Sequence, residues 1–411
     1  MSISIKNIEV VIDETKSTGF SIALDGDIWR LDNFCLTQTL LSPNSLSFTL
    51  HKGPQENAND PMFSICGQII GKTIELRLVT ESTDNVSLKT EVDTVADIVF
   101  RGLIMSASSS RSVSEYTVNV QAFSRDALLN DNPSCKSFEN MTLADIVTDV
   151  IDDYCPISEA LVEPRFVDVI PYCVQYNENN YQFLQRLARR YGEWLYNDGE
   201  KLIFSDLRRG EYVKLNYPSQ DIPSYNVDLN MQHVAFNHVA SSYNSYDANQ
   251  KEGIEEMQKE YNTLSEQVFI ASQNCYTKPT LQNLHSGGFA NSDGRETILN
   301  VSTKTQARGQ KAEMLTYSGN TYCSKLKIGA TLLIVDNYIT NSASNEKSKV
   351  NQDEILITEL AHYFSADETY SNHFVGIPSA CDYPPYSNSD VYPIAQSCRA
   401  KVTDNEDPNT L

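Results

Sequence analysis

The chain has 411 residues, 40% of them hydrophobic, and a formal net charge of −22 from 32 Lys and Arg against 54 Asp and Glu. That length accommodates two to four domains with a sizeable core, and the acidic excess argues against a phosphate backbone or an anionic membrane as partner. No run approaches the roughly 18 apolar residues of a spanning helix, and the amino terminus lacks the basic and apolar regions of a signal peptide. Nine Cys, scattered from Cys35 to Cys398 with no C-x-x-C pair, fit free thiols in a reducing compartment.

From residue 2 to about 134 the pattern is mostly strands. Tyr116, Val118, Val120 and Ala122 alternate with Thr117, Asn119 and Gln121, the period of a half-buried strand. Residues 98–106 are its predicted partner, through a Ser-rich turn over 107–114. A helix follows, capped by Thr142 with Asp145 three residues on. Its apolar face is Leu143, Ile146, Val147, Val150 and Ile151, and Pro156 ends it. A second helix starts at Asn179 or Asn180, with Phe183, Leu184, Leu187, Ala188 and Tyr191 as its stripe and Gly192 as a left-handed C-cap. Two short strands, 193–196 and 201–205, then hinge on Asn197-Asp198-Gly199. Residues 135–222 thus read as a small α+β domain between β-rich regions at 1–134 and 223–395.

The later region carries an insertion at about 247–300. Within it Ile254, Met257, Tyr261, Leu264 and Val268 recur at steps of three and four, predicting a helix. Its seam either packs on its own domain or meets another subunit. Residues 354–364 and 370–378 form a strand–turn–strand pattern like that of 98–124, which suggests two barrels of similar build.

Catalytic patterns are missing: the sequence holds no G-x-S-x-G, H-E-x-x-H, Walker loop or G-x-G-x-x-G. His233 and His238 are five apart, which on a strand puts them on opposite faces. His285 and Ser286 adjoin in a Gly-rich loop and do not aim at each other. The stretch from Asp404 to Asp407 lacks the Gly and terminal Glu of a calcium loop. No catalytic residue, cofactor or metal ligand is nominated. An acidic β-rich hydrolase or glycan-binding module would need a placed carboxylate pair, and spacing points to none.

One stretch carries a family resemblance. Residues 178–196 run Glu-Asn-Asn-Tyr-Gln-Phe-Leu-Gln-Arg-Leu-Ala-Arg-Arg-Tyr-Gly-Glu-Trp-Leu-Tyr. This resembles the signature helix of VgrG proteins of type VI secretion and of contractile-phage baseplate hubs, with Glu178, Asn180, Tyr181, Phe183, Leu184, Arg186, Leu187, Gly192, Trp194 and Tyr196 at the matching positions. Asn180 replaces the family's usual Asp at a cap, Arg189 an acidic residue, and Ile328 a proline in the later Leu-Lys-Ile-Gly strand entry. Residues 305–315, 354–363 and 372–378 resemble further family segments in order, and 396–411 the linker and start of an oligonucleotide/oligosaccharide-type barrel.

The resemblance implies a mainly β fold of two similar tube-like barrels plus an inserted α+β domain, assembling as a trimer with pseudo-sixfold symmetry. The implied function is a structural hub that caps a hexameric, Hcp-like tube and carries the needle and effectors among baseplate proteins. A prophage-tail or extracellular contractile particle is the alternative machine. The implied chain uses no cofactor, nucleic acid or membrane anchor, assembles in the cytoplasm and leaves through the contractile machine.

Overall fold

The computed structural model describes residues 5–394 except 14, 18–20, 25–26, 54–63, 82–93, 113–114, 207–209, 220, 234–236, 244–249, 257–262, 279, 286–303, 337–353, 366 and 368. Fourteen strands join in one sheet. Eight come from the first part of the chain: two short strands, Thr15–Lys16 and Ser21–Leu24, and six longer ones, β1 (Ile5–Ile12), β2 (Asp27–Thr39), β3 (Ser45–Lys52), β4 (Thr73–Glu81), β5 (Thr94–Arg111) and β6 (Tyr116–Ser124). The middle supplies β7 (Ser134–Thr142), β8 (Ala160–Glu163), β9 (Val169–Glu178), β10 (Trp194–Asn197) and β11 (Leu202–Ser205), with helices α1 (Leu143–Ile151) and α2 (Asn180–Tyr191). Six more sheet strands follow: β12 (Tyr212–Tyr217), β13 (Ser224–Leu229), β14 (Leu315–Thr321), β15 (Thr331–Asp336), β16 (Glu354–Phe364) and β17 (Tyr370–Pro378).

The two sets of six have one strand order. Spatially the first runs β2-β3-β6-β5-β4-β1, and the second β13-β14-β17-β16-β15-β12. The match extends to single residues. The β5–β6 hairpin closes on Arg111 opposite Tyr116 and carries a bulge between Ile104 and Ser106. The β16–β17 hairpin closes on Phe364 opposite Tyr370, with its bulge between Ile357 and Glu359, the same distance back. Leu103 then lies opposite Thr73, and its counterpart Leu356 opposite Thr331. Two residues before each of those threonines stands a left-handed glycine, Gly71 (φ 76) and Gly329 (φ 79). Gly71 donates its N–H to the Ile104 carbonyl at 2.8 Å, and Gly329 to the Ile357 carbonyl at 2.9 Å. A positive φ is costly for any side chain, so glycine is needed at both turns. One pairing differs: β1–β4 is antiparallel and β12–β15 parallel, because β12 enters the sheet from the α+β unit.

The halves join at one seam, where β2 pairs antiparallel with β16 from Phe34 opposite Phe364 to Thr39 opposite Glu359. Phe364 and Tyr370, from the second half, belong to the core of the first. Rather than two closed barrels, the described strands form an open sheet, ending at β13 on one side and at the short strand Thr15–Lys16 on the other.

Two expectations are corrected. The Ser-rich stretch 107–111 is strand, not turn, because it pairs with Tyr116–Val120; Ser110 Oγ meets Thr117 Oγ1 at 2.5 Å and Arg111 lies 4.8 Å over the Tyr116 ring. The helix through Ile254 is also overturned. Residues 250–256 form a strand on 237–243, and α3 begins only at Thr263, running to Cys275. Gly253, a poor helix former, interrupts the supposed seam. Leu264 and Val268 do lie on α3, whereas Met257 and Tyr261 fall outside the described residues. Among the described residues no helix is long and apolar enough to cross a membrane.

Candidate functional site

The segment 178–196 begins with a capping box. Asn179 Oδ1 accepts the Gln182 N–H at 2.8 Å, and Gln182 Oε1 accepts the Asn179 N–H at 3.1 Å. Asn180, at the family's capping position, is instead the first helical residue; its side chain accepts from Gln175 at 3.0 Å and donates to the Val150 carbonyl. Tyr181, Phe183, Leu184 and Leu187 point into the core between α1, α2 and the surrounding strands, where Phe183 stacks on Phe138. Arg186 is 6% exposed. Its Nε donates to both Glu178 oxygens, at 2.9 and 3.1 Å, and its Nη2 to the Val174 carbonyl at 2.5 Å. Fixing Glu178 at the end of β9 to the middle of α2 sets the angle between strand and helix.

The end of the segment reaches both halves of the sheet. Gly192 closes α2 at φ 69, and a β-carbon there would lie 2.5 Å from the Tyr383 ring. Trp194 Nε1 faces the Asp382 carbonyl at 3.4 Å. Tyr196 packs with Ile328, Leu356 and Ile377 of the second half, and its hydroxyl covers Gly329. Toward the first half, Leu41 N–H donates to the Leu195 carbonyl at 2.9 Å, and Asn44 Nδ2 to the Asn197 carbonyl at 3.0 Å. Of the ten motif residues, Gly192, Trp194 and Tyr196 therefore lie at the junction of the α+β unit and the sheet, and the other seven build the α+β unit itself.

Sequence reasoning missed two partners of this junction. Tyr386 donates its hydroxyl to the Glu193 carbonyl and accepts the Leu195 N–H, both at 2.8 Å. The Glu193 carboxylate, fully buried, accepts the backbone N–H groups of Arg165 and Phe166, each at 3.0 Å. Burial raises its pKa, and those two donors act against the rise. Glu193 sits between the recognised Gly192 and Trp194, so its position was the available signal.

A cavity of about 470 Å³ lies between β1, β4, β5 and the α+β unit, lined by Arg77, Arg101, Arg125, Glu75, Asp126 and Cys155 among others. Its arginines are engaged: Arg77 and Arg101 both bond Glu75, and Arg125 donates to the Tyr154 carbonyl. Asp126 and Cys155 are both raised by burial, Cys155 to about 12, so the thiol is protonated and inert. Among the described residues no three His, Cys, Asp or Glu side chains are placed to hold a metal. The His233 ring lies 5.2 Å from that of Tyr276, His238 belongs to the strand Asn237–Tyr243, and His285 ends the strand Thr280–His285. Ser286 and 404–407 lie outside the described residues.

The fold has known counterparts. The tail protein of Neisseria meningitidis MC58 superposes with a TM-score of 0.58 at 11% identity, over 93% of this chain and 99% of that one. The 43 kDa tail protein of prophage MuSo2 from Shewanella oneidensis gives 0.55 at 12%, over 92% and 100%. A chain of the half-lidded Francisella PdpA–VgrG complex gives 0.52 at 12%, covering 96% of this chain and 60% of that one. No curated protein matches the sequence significantly. The family described as phage tail baseplate hub (GPD) matches residues 68–368, well over half of the chain. This chain therefore belongs to the phage tail baseplate hub family.

Proposed function

We propose that the chain works as a trimeric adaptor in a contractile injection machine. Three copies would form a ring of six similar half-sheets that caps a hexameric, Hcp-like tube and carries the needle and its effectors. The observation that carries this reading is the repeated strand order, with its bulges and left-handed glycines in register. Two equivalent halves per chain, three chains per ring, reconcile threefold with sixfold symmetry. Each tube contact can then be modest, because six act together. The α+β unit around 135–222 braces the two halves, and 1–134 and 223–395 are the tube-like domains. The role is mechanical, without turnover. The protein assembles in the cytoplasm among baseplate proteins and leaves with the needle when the sheath contracts.

The matching family is one of phage tails, which favours a tail-like particle as a second reading of the machine. Sheath and membrane-complex genes beside this one would separate that from a secretion system. The hub reading itself is tested by light scattering. A trimer of three 46.1 kDa chains, about 138 kDa, is the result required; a monomer at micromolar concentration overturns it.

A further inference from the structure

One face of the sheet is covered by the α+β unit in the second half and lies over a cavity in the first. The pair Thr331 and Leu356 corresponds to Thr73 and Leu103. Leu356 is 1% exposed and packs with Trp194, Tyr196 and Ile203 of the α+β unit. Leu103 is only half-buried and lines the cavity of about 470 Å³. Ile328 and Ile70, each preceding one of the paired left-handed glycines, differ in the same sense, at 3% and 50% exposed. Two residues along the strands, the second half has Leu333 opposite Glu354, whereas the first has Glu75 opposite Arg101. The charged ladder at the cavity is thus an addition to the repeat.

Arg77 donates through Nε and Nη2 to one Glu75 oxygen, and Arg101 through Nε to the other. Arg125 uses its Nε on the Tyr154 carbonyl at 2.9 Å. These bonds leave the Nη groups of Arg101 and Arg125 available, on side chains 41% and 43% exposed. Asp126 supplies a further group. Its Oδ1 accepts from Asn197 Nδ2 at 2.9 Å, and its buried Oδ2 has no partner at hydrogen-bond distance among the described residues. Burial favours its protonated form against the influence of Ser124 and Asn197. With Asp126 neutral, the lining holds four cations and four carboxylates. That balance disfavours a phosphate, whose multiple charge would also meet Glu75 and Glu159. A single carboxylate, by contrast, matches one guanidinium fork. Val11, Leu103 and Leu202 add an apolar wall.

We propose that this cavity docks an acidic segment of a partner protein, with one carboxylate on Arg101, a second on Arg125 and an apolar side chain against Leu103. Asp126 Oδ2 adds a donor for such an anion. The cavity has the size of a ligand pocket, roughly 300–1,000 Å³. The second half shows that the equivalent face accepts polypeptide, since there it takes the antiparallel pair β10 and β11. In a chain of net charge −22, three arginines in one lining are a local reversal of the field that an acidic segment needs.

This inference goes beyond the trimer reading and does not need it, since binding is measured per chain. The test titrates the full chain, by isothermal calorimetry, with the acetylated and amidated peptide Glu-Leu-Glu, whose only charges are its two side-chain carboxylates. Saturable binding is expected, with a dissociation constant on the order of 1 mM. The uncharged peptide Gln-Leu-Gln should bind about tenfold more weakly. Arg125→Gln, a change at a half-exposed side chain, should cause a similar loss. So should Leu103→Trp, which fills the cavity and keeps both arginines; melting curves confirm that the variants are folded. Absence of saturable binding, equal binding of Gln-Leu-Gln, or full binding by the folded variants would each overturn the proposal. Succinate bound as tightly as Glu-Leu-Glu would make this a small-molecule site and overturn the partner segment. A monomer that binds Glu-Leu-Glu as expected would leave the cavity reading standing and overturn only the trimer.

Discussion

Phe34 stacks on Phe364 with ring centroids 5.7 Å apart and planes inclined by 17°, across a contact separated by most of the chain. The pair closes the seam of β2 and β16, and both rings are buried in the core of the first half. Phe364→Ala should destabilise the protein by about 3–5 kcal/mol, the range for buried aromatic truncations. Urea unfolding measures it, and a loss below about 1 kcal/mol would show that the seam contributes little.

Leu187 lies in the middle of the α2 core, fully buried. Leu187→Ala should cost about 2–5 kcal/mol. An unchanged melting temperature would mean that the motif helix is not packed as described.

Arg186 and Glu178 should behave as a buried pair. Removing the guanidinium in Arg186→Met leaves the carboxylate, 15% exposed in its side chain, without its main partner. A loss of about 3–5 kcal/mol is the expected result. The double variant Arg186→Met/Glu178→Leu should lose less than Arg186→Met alone, because no orphaned charge remains. Additive losses would refute the pairing argument.

Gly71 and Gly329 share a conformation but not surroundings. No atom lies within 4 Å of a β-carbon placed on Gly71, whereas one on Gly329 would come 2.7 Å from the Tyr196 hydroxyl. Gly71→Ala should therefore cost only the left-handed backbone, about 1–2 kcal/mol. Gly329→Ala should cost more, and Tyr196→Phe should recover part of the difference. Equal losses at the two sites would show that Tyr196 does not close over the turn.

His362 gives the protein a pH dependence. It is buried beside the seam, and its Nδ1 is hydrogen-bonded at 2.6 Å to the Tyr370 hydroxyl, which also accepts from Asn372 Nδ2. Burial pushes the pKa of His362 from 6.5 to about 3. With the folded value depressed, the unfolded chain binds the extra proton. The contribution is complete above pH 6.5 and is lost as pH falls toward 3, by about 1.4 kcal/mol per pH unit. Unfolding of wild type and His362→Leu between pH 7 and 4 tests this. A stability difference that does not change with pH would refute it.

Local signals in the sequence located local structure. Thr142 with Asp145 marked the cap of α1, Gly192 the end of α2, and the alternation around Val118 and Val120 a half-buried strand. Periodicity states which face is buried, not which strand lies alongside, so the Phe34–Phe364 contact was invisible. The same limit hid the extent of β5, whose serines resemble a turn until Tyr116 and Thr117 pair with them. At the motif, residue types identified the buried face of α2. Tyr386 and Asp382 reach it from almost two hundred residues away, and nothing near them in sequence marks the contact.

The seam at Phe34 and Phe364 lies within one chain, and this restricts how a ring can go wrong. Every copy brings its half-sheets in pairs. A closed ring made from this protein therefore holds an even number of them, whatever the angle at each joint. Five- and seven-membered closures, ordinary errors for a ring of single units, cannot be formed. Beside the proposed ring of six, the nearest faulty rings, of four or eight, would differ by a whole chain and would require every joint to change its angle. In the proposed ring, stoichiometric accuracy would thus follow from the covalent link between the halves.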